Sequence, residues 1–111
     1  MTISDIMLIE NFNPINIGSN MDREITTPYC CDLLSIAMGK MPPGAAWVTV
    51  MGNVNTLAVA CLTDAACIIL AEGSKLDEQA MIKAKEKDIT VFSTEMPIFD
   101  AALAIKQKIH G

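Results

Sequence analysis

Apolar and polar positions fall into a regular rhythm along the second half of the chain, and that rhythm predicts most of the fold. Ala46–Met51 (AWVTVM) is a short apolar run that predicts a strand. Val54–Thr63 then predicts a helix, Cys67–Ala71 (CIILA) a second strand, and Asp77–Lys87 a second helix. Thr90–Phe92 predicts a third strand. Pro97–Ile109 predicts a last helix, with Ile98, Ala102, Ile105 and Ile109 along one face. Strands alternating with helices of about ten residues imply parallel pairing through right-handed crossovers. Cys67–Ala71 is apolar on both faces, as expected of a sheet covered on both sides. The expected architecture is a three-layer α/β/α domain with a mainly parallel sheet, formed by residues 1–111 as one unit.

The first half is less periodic. Residues 3–10 predict a short helix with Thr2 or Ser4 as its cap and Asn11 near its end. Ile15–Ile17 predicts a brief extended piece, followed by a loop at Gly18, Ser19 and Asn20. After Pro28, residues 29–38 predict a helix with Leu33, Leu34 and Ala37 on one face and Gly39 past its end. Further on, Ser74-Lys75-Leu76-Asp77 fits a capping box, and Thr94 is placed to cap the last helix.

Composition changes this picture in two ways. Charged residues are only 19% of the 111, low for a fully solvated surface, so a partner is expected to cover some apolar surface. The helix at 54–63 is apolar nearly all round and must be buried on every side, whether by core or by a subunit; with charge scarce as well, a homodimer is expected. Met41–Thr63 carries no charge and is long enough to imitate a membrane span, but Pro42, Pro43, Gly44, Gly52, Asn53 and Asn55 interrupt it. It reads as a turn, a strand and a helix, and no membrane is expected. The net charge is −5, and the largest basic set, Lys83, Lys85 and Lys87, is interleaved with Glu86 and Asp88. Nucleic acid is not an expected partner, because backbone binding needs a basic stripe.

Candidate chemistry is sparse. There is no GxxxxGK[ST], GxGxxG, HExxH or GxSxG, and no zinc-spaced pair of ligands. The single His110 is next to the C-terminus, so neither metal nor cofactor is expected. None of Cys30, Cys31, Cys61 and Cys67 forms a CxxC pair, and no leader-like segment opens the chain. Reduced thiols in a cytoplasmic setting are expected. Cys61 and Cys67 read as small buried hydrophobes. Cys30 and Cys31 point opposite ways on any regular element, so one of them can be exposed. No acid, base and nucleophile converge as a catalytic set, which argues against an enzyme. The rival reading is a thiol-based redox protein acting through Cys30 or Cys31.

Met21-Asp22-Arg23-Glu24-Ile25-Thr26-Thr27-Pro28-Tyr29-Cys30-Cys31-Asp32-Leu33-Leu34-Ser35 resembles the signature of the DRTGG domain family. In that family an Asp-Arg pair and a Thr precede an aromatic residue and an Asp-Leu-Leu-Ser helix. The resemblance runs on through Trp47-Val48-Thr49, Asn55 with Leu57–Ala60, Glu72-Gly73 before Asp77-Glu78, and Phe92-Ser93-Thr94 with Phe99. DRTGG domains are similar to the N-terminal domain of the histidine-containing phosphocarrier kinase, whose catalytic P-loop domain has no counterpart here. They occur beside phosphotransacetylase domains and between CBS domains of regulated pyrophosphatases. There they look like regulatory or assembly modules, often at dimer contacts. Free-standing members near iron-hydrogenase genes imply an alternative role as a redox accessory. Here Thr26-Thr27-Pro28 replaces Thr-Gly-Gly, and Pro28 forbids positive φ and removes an N–H donor.

Two groups of candidate ligand-binding residues follow. The first is the Asp22, Arg23 and Thr26 loop, where Arg23 either ties the loop down or offers its planar fork to an anion. The second comes from the rule that open parallel sheets bind ligands beyond the carboxyl ends of their strands. Those positions include Gly52 and Asn53, then Glu72, Gly73 and Ser74, then Ser93 and Thr94. Asn53, Gly73, Ser74 and Thr94 are the expected contacts, offering hydroxyls and free N–H groups to an anion. The expected function is a non-catalytic, self-associating regulatory module that senses a small anion or nucleotide.

Overall fold

The computed structural model describes all residues, Met1–Gly111. Its strands are β1 (Asn13–Asn16), β2 (Pro28–Cys30), β3 (Ala46–Thr49), β4 (Cys67–Leu70) and β5 (Val91–Ser93). They form one sheet in the order β1-β5-β4-β3-β2. The pairs β2–β3, β3–β4 and β4–β5 are parallel, while β1 runs antiparallel along β5. The helices are α1 (Ile3–Ile6), α2 (Leu34–Lys40), α3 (Val54–Leu62), α4 (Glu78–Glu86) and α5 (Ile98–His110).

Strand alternation explains how the helices divide between the two faces. From β2 to β5 every crossover steps the same way, and right-handed crossovers then place α2, α3 and α4 on one face. Trp47, Ile68, Leu70 and Val91 point to that face and pack with Ala37, Leu57, Ala60, Ala80 and Ala84. The residues between them, Ala46, Val48, Cys67, Ile69 and Phe92, point to the other face. There they pack with Ile3, Ile6, Ala101 and Ile105 of α1 and α5. The result is the expected three-layer α/β/α domain.

The first half departs from its expected elements. The helix at 3–10 ends after Ile6, and Asn11 takes φ 74°, a left-handed residue that stops any continuation. The extended piece begins earlier than Ile15, at Asn13, because it pairs with β5. The helix predicted over 29–38 divides into β2 and α2. Asp32 causes the division: its Oδ1 accepts bonds from Thr49 Oγ1 (2.7 Å) and Val50 N (2.9 Å), fixing a non-helical corner between them. Gly39 consequently lies inside α2 rather than past its end.

Capping also differs. Asp77, not Ser74, caps α4, accepting the Ala80 N–H at 2.8 Å. Thr94 does not cap α5: Pro97 stands at that position, while Thr94 Oγ1 accepts the Met96 N–H at 3.2 Å in a tight turn. Asn53 does cap α3, accepting from Asn55 N and Thr56 N. α3 lies between α2 and α4, and Thr56, Leu57, Val59 and Ala60 are buried within this one chain. Only its outer edge, including Ala58, Cys61 and Leu62, is exposed. The chain's own core therefore covers the helix that the sequence had offered as grounds for a dimer.

Candidate functional site

The two groups of candidate residues lie at opposite ends of the sheet. Asp22, Arg23 and Thr26 sit at the end where β3 and β4 begin. Arg23 grips Asp64 with its fork: Nη1 donates to Oδ1 and Nη2 to Oδ2, each at 3.0 Å, and Nη2 also reaches the Asp64 carbonyl at 3.1 Å. Asp64 takes φ 61° in the turn between α3 and β4, so Arg23 holds a left-handed turn in place. Thr26 Oγ1 donates to the Pro43 carbonyl at 2.9 Å, and its N–H to the Gly44 carbonyl at 2.9 Å. Asp22 is exposed. This geometry satisfies Arg23 and Thr26 within the chain. The Arg23–Asp64 pair is open to solvent, so Arg23→Ala should lower urea-unfolding stability by about 1 kcal/mol. A loss above about 3 kcal/mol would mean that the fork supports more than this turn.

The other end of the sheet carries a cleft of roughly 330 Å³, bounded by the loops after β4 and β5 and by β1. Its lining includes Gly73, Ser74 and Thr94, three of the expected residues. Lys75, Ser93, Glu95 and Asn13 join them. Asn53 is not part of it, because its side chain is used in capping α3.

The turn after β4 shapes this cleft. Glu72 (φ 59°) and Gly73 (φ 70°) are consecutive left-handed residues, and Ser74 N donates to the Ala71 carbonyl at 3.0 Å. That is the pattern of a type I′ turn, which favours glycine at its second centre. Gly73 has a further reason: a Cβ there would lie 2.5 Å from Glu95 Oε2, so the absence of a side chain lets the Glu95 carboxylate lie over the turn. The adjoining loop is pinned from below, since Asp77 N donates to the Gly52 carbonyl at 2.9 Å.

One expectation fails in this cleft. The backbone N–H groups counted on for an anion are engaged: Glu72 N with Met96 O, Gly73 N with Thr94 O, Ser74 N with Ala71 O and Thr94 N with Leu70 O. A type I′ turn and its docking onto the β5 loop consume these donors. What remains for a ligand is side-chain chemistry. Lys75 makes no ion pair, and the hydroxyls of Ser74 and Ser93 bond no protein group. Lys75 and Glu95 were missed by sequence reasoning. The available signal was that both directly follow small residues at a strand-end loop, 74 and 94. Asn13 was missed because its strand was expected to begin only at Ile15.

Two of the thiols, Cys30 and Cys67, are held toward their neutral form. Burial pushes the Cys30 thiol up, and the charges of Asp32 and Cys31 add to the rise. Cys67 is fully buried, and burial raises its thiol to about 12 while the Arg23 charge pulls weakly the other way. Cys61 is exposed on α3, contrary to the expected burial. No group of three or more His, Cys, Asp or Glu side chains is arranged to hold a metal ion, and no helix is long and apolar enough to cross a membrane.

No protein-family model matches the chain, and no curated protein matches it. A solved structure does: the CBS and DRTGG domains of the regulatory region of Clostridium perfringens pyrophosphatase, in complex with its activator diadenosine tetraphosphate. The similarity has a TM-score of 0.71 at 15% identity and covers 85% of this chain and 41% of the other. The chain thus spans less than half the length of that relative. At this identity the likeness speaks to architecture, and the chain has an α/β fold like that of a DRTGG-containing regulatory region.

Proposed function

We propose that the chain is a non-catalytic regulatory module that self-associates and binds a small anionic ligand of the nucleotide class in the cleft beyond β4 and β5. The observation that carries this reading is the meeting of Gly73, Ser74 and Thr94, from two separate loops, around the unpaired Lys75. Lys75 with the Ser74 and Ser93 hydroxyls suits phosphate oxygens. Glu95 and Asn13, which also line the cleft, suit the hydroxyls of a ribose, because a carboxylate and an amide accept what a phosphate cannot donate. Support from fold comes from a regulatory region of similar architecture that is described in complex with an activating nucleotide. The non-catalytic part rests on the chemistry of the chain: no histidine or cysteine lines the cleft, and the Cys30 thiol, elsewhere, is pushed up rather than down.

A thermal-shift panel of adenine nucleotides, diadenosine tetraphosphate, acyl phosphates and sugar phosphates tests this. A nucleotide at one hundred times its Kd should stabilise the fold by about 2.7 kcal/mol. Acyl phosphates should stabilise it less, since they offer no sugar hydroxyls to Glu95 and Asn13, and sugar phosphates less than nucleotides of several phosphates, since they carry less charge to Lys75. No shift from any nucleotide at millimolar concentration would contradict the reading. Steady magnesium-dependent ATP turnover would contradict its non-catalytic part.

A further inference from the structure

The cleft beyond β4 and β5 has an apolar wall that its phosphate and ribose contacts leave unused. Two of its lining residues are aliphatic, Ile15 of β1 and Leu76 of the loop before α4. An irregularity in the sheet places Ile15 there. Along β1, Pro14 faces Phe92 and Asn16 faces Val91 of β5, so Ile15 is an extra residue with no partner. A bulge of this kind re-aims a side chain, and bulges gather at sheet edges and beside functional sites. β1 is an edge strand, and Ile15 joins neither core cluster but stays 38% exposed at the cleft. Leu76 is held from two sides. It packs against the core around Trp47, and its backbone lies so close to Gly52 that a Cβ there would stand 3.2 Å from Leu76 Cα. A side chain fixed in this way loses little freedom when a ligand meets it.

We infer that Ile15 and Leu76 seat the base of a single nucleoside, so that the cleft takes a mononucleotide and not a dinucleoside polyphosphate; this deepens the nucleotide reading of the cleft and rests on it. The first ground is chemical. A base is a flat ring whose faces gain by leaving water for apolar contact, and neither Lys75, the serine hydroxyls nor Glu95 offers such a surface. No aromatic side chain lines the cleft, so the base lies on branched aliphatic carbon instead of stacking. The second ground is size. At roughly 330 Å³ the cleft stands near the lower end of small-molecule sites, which run from about 300 to 1,000 Å³. The third is that each kind of group lines the cleft once: one lysine, one carboxylate and one aliphatic pair. A second nucleoside on the same phosphate chain finds no counterpart and hangs in solvent.

Titration calorimetry on the full chain with ATP, diadenosine tetraphosphate and inorganic tripolyphosphate tests this, with circular dichroism and melting as folding controls. Ile15→Ser should raise the Kd for ATP about five- to ten-fold, because apolar contact with the base is lost, and leave that for tripolyphosphate in place. Ile15→Tyr offers the base a ring to stack on and should lower the Kd for ATP several-fold, again without effect on tripolyphosphate. Diadenosine tetraphosphate should bind wild type within about three-fold of ATP, since its second nucleoside adds no contact. ATP binding that ignores both Ile15 variants, or tripolyphosphate binding that changes in step with it, would overturn the apolar seat and leave a nucleotide cleft standing. Diadenosine tetraphosphate bound more than about ten-fold tighter than ATP would overturn the single-nucleoside limit. No binding of ATP by the wild type would overturn the nucleotide reading itself, and this seat with it.

Discussion

Gly52→Ala is expected to unfold the chain at a far lower temperature than any surface change. A Cβ at residue 52 would lie 2.1 Å from the Lys75 carbonyl oxygen, 2.9 Å from its carbon and 3.2 Å from Leu76 Cα. These are backbone atoms and cannot swing aside as a side-chain tip can. Relief requires the 75–77 loop to move, and that movement strains the Asp77 N bond to the Gly52 carbonyl, 2.9 Å long. Asp77 also caps α4, so the helix start is displaced with it. Overpacking plus a compromised backbone bond should cost about 3 kcal/mol. For a domain of this size that corresponds to a fall in Tm of roughly 12 °C or more. Ser74 and Lys75 ride on the same loop, so ligand binding should weaken as well. A Tm within about 2 °C of wild type would show that the loop yields freely, and would remove the tight support on which the cleft depends.

Trp47→Ala is expected to have the largest effect on the core. Trp47 is fully buried at the centre of β3, between Tyr29 of β2 and Ile68 of β4 in register. Its ring packs among Leu57, Ala60, Ile68 and the α2 residue Ala37. Its Nε1–H donates to the Cys31 carbonyl at 2.9 Å, tying the end of β2 to the face of the sheet. Removing the ring leaves a cavity and an unpaired carbonyl, together worth about 3–5 kcal/mol. Trp47→Phe keeps most of the apolar volume but not the bond, so its loss should be smaller, on the order of 1–2 kcal/mol. Urea unfolding by far-ultraviolet circular dichroism reads both, with Trp47→Ala the less stable. Equal losses in the two variants would mean that the indole bond, which both lack, outweighs packing.

The parts of the fold legible in the sequence were those set by repetition. β3, β4 and β5 each present alternate residues to two covered faces, and the helices between them keep apolar residues at helical spacing. β2 was illegible for the opposite reason: at three residues it has no period to read. Its end is fixed by the Asp32 bonds to Thr49 and Val50, a contact 17 and 18 residues away. The same limit applies to Arg23, whose partner Asp64 is 41 residues distant. Before folding, a loop arginine with a distant carboxylate cannot be told from one held open for a ligand. The strand-end rule brought Gly73, Ser74 and Thr94 to one cleft, because topology alone dictates where those loops emerge. It failed on their N–H groups, since the Glu72-Gly73 turn uses the very donors it was expected to free. Lys75 and Glu95 flank those residues, but only the packing of one loop against the other brings them to one cleft.

The most direct measurement of the central claim is a residue-resolved one. Amide nitrogen–proton correlation spectra of the 111-residue chain can be recorded while an adenine nucleotide is titrated in. The largest shifts are expected at Gly73, Ser74, Lys75, Ser93 and Glu95, with the Asn13 amide moving beside them, all of which line the cleft. Amides around Arg23, Thr26 and Asp64, at the opposite end of the sheet, should stay in place. Saturating shifts centred on Arg23 and Asp64, with the cleft silent, would contradict the account and move the binding site to the Asp-Arg loop.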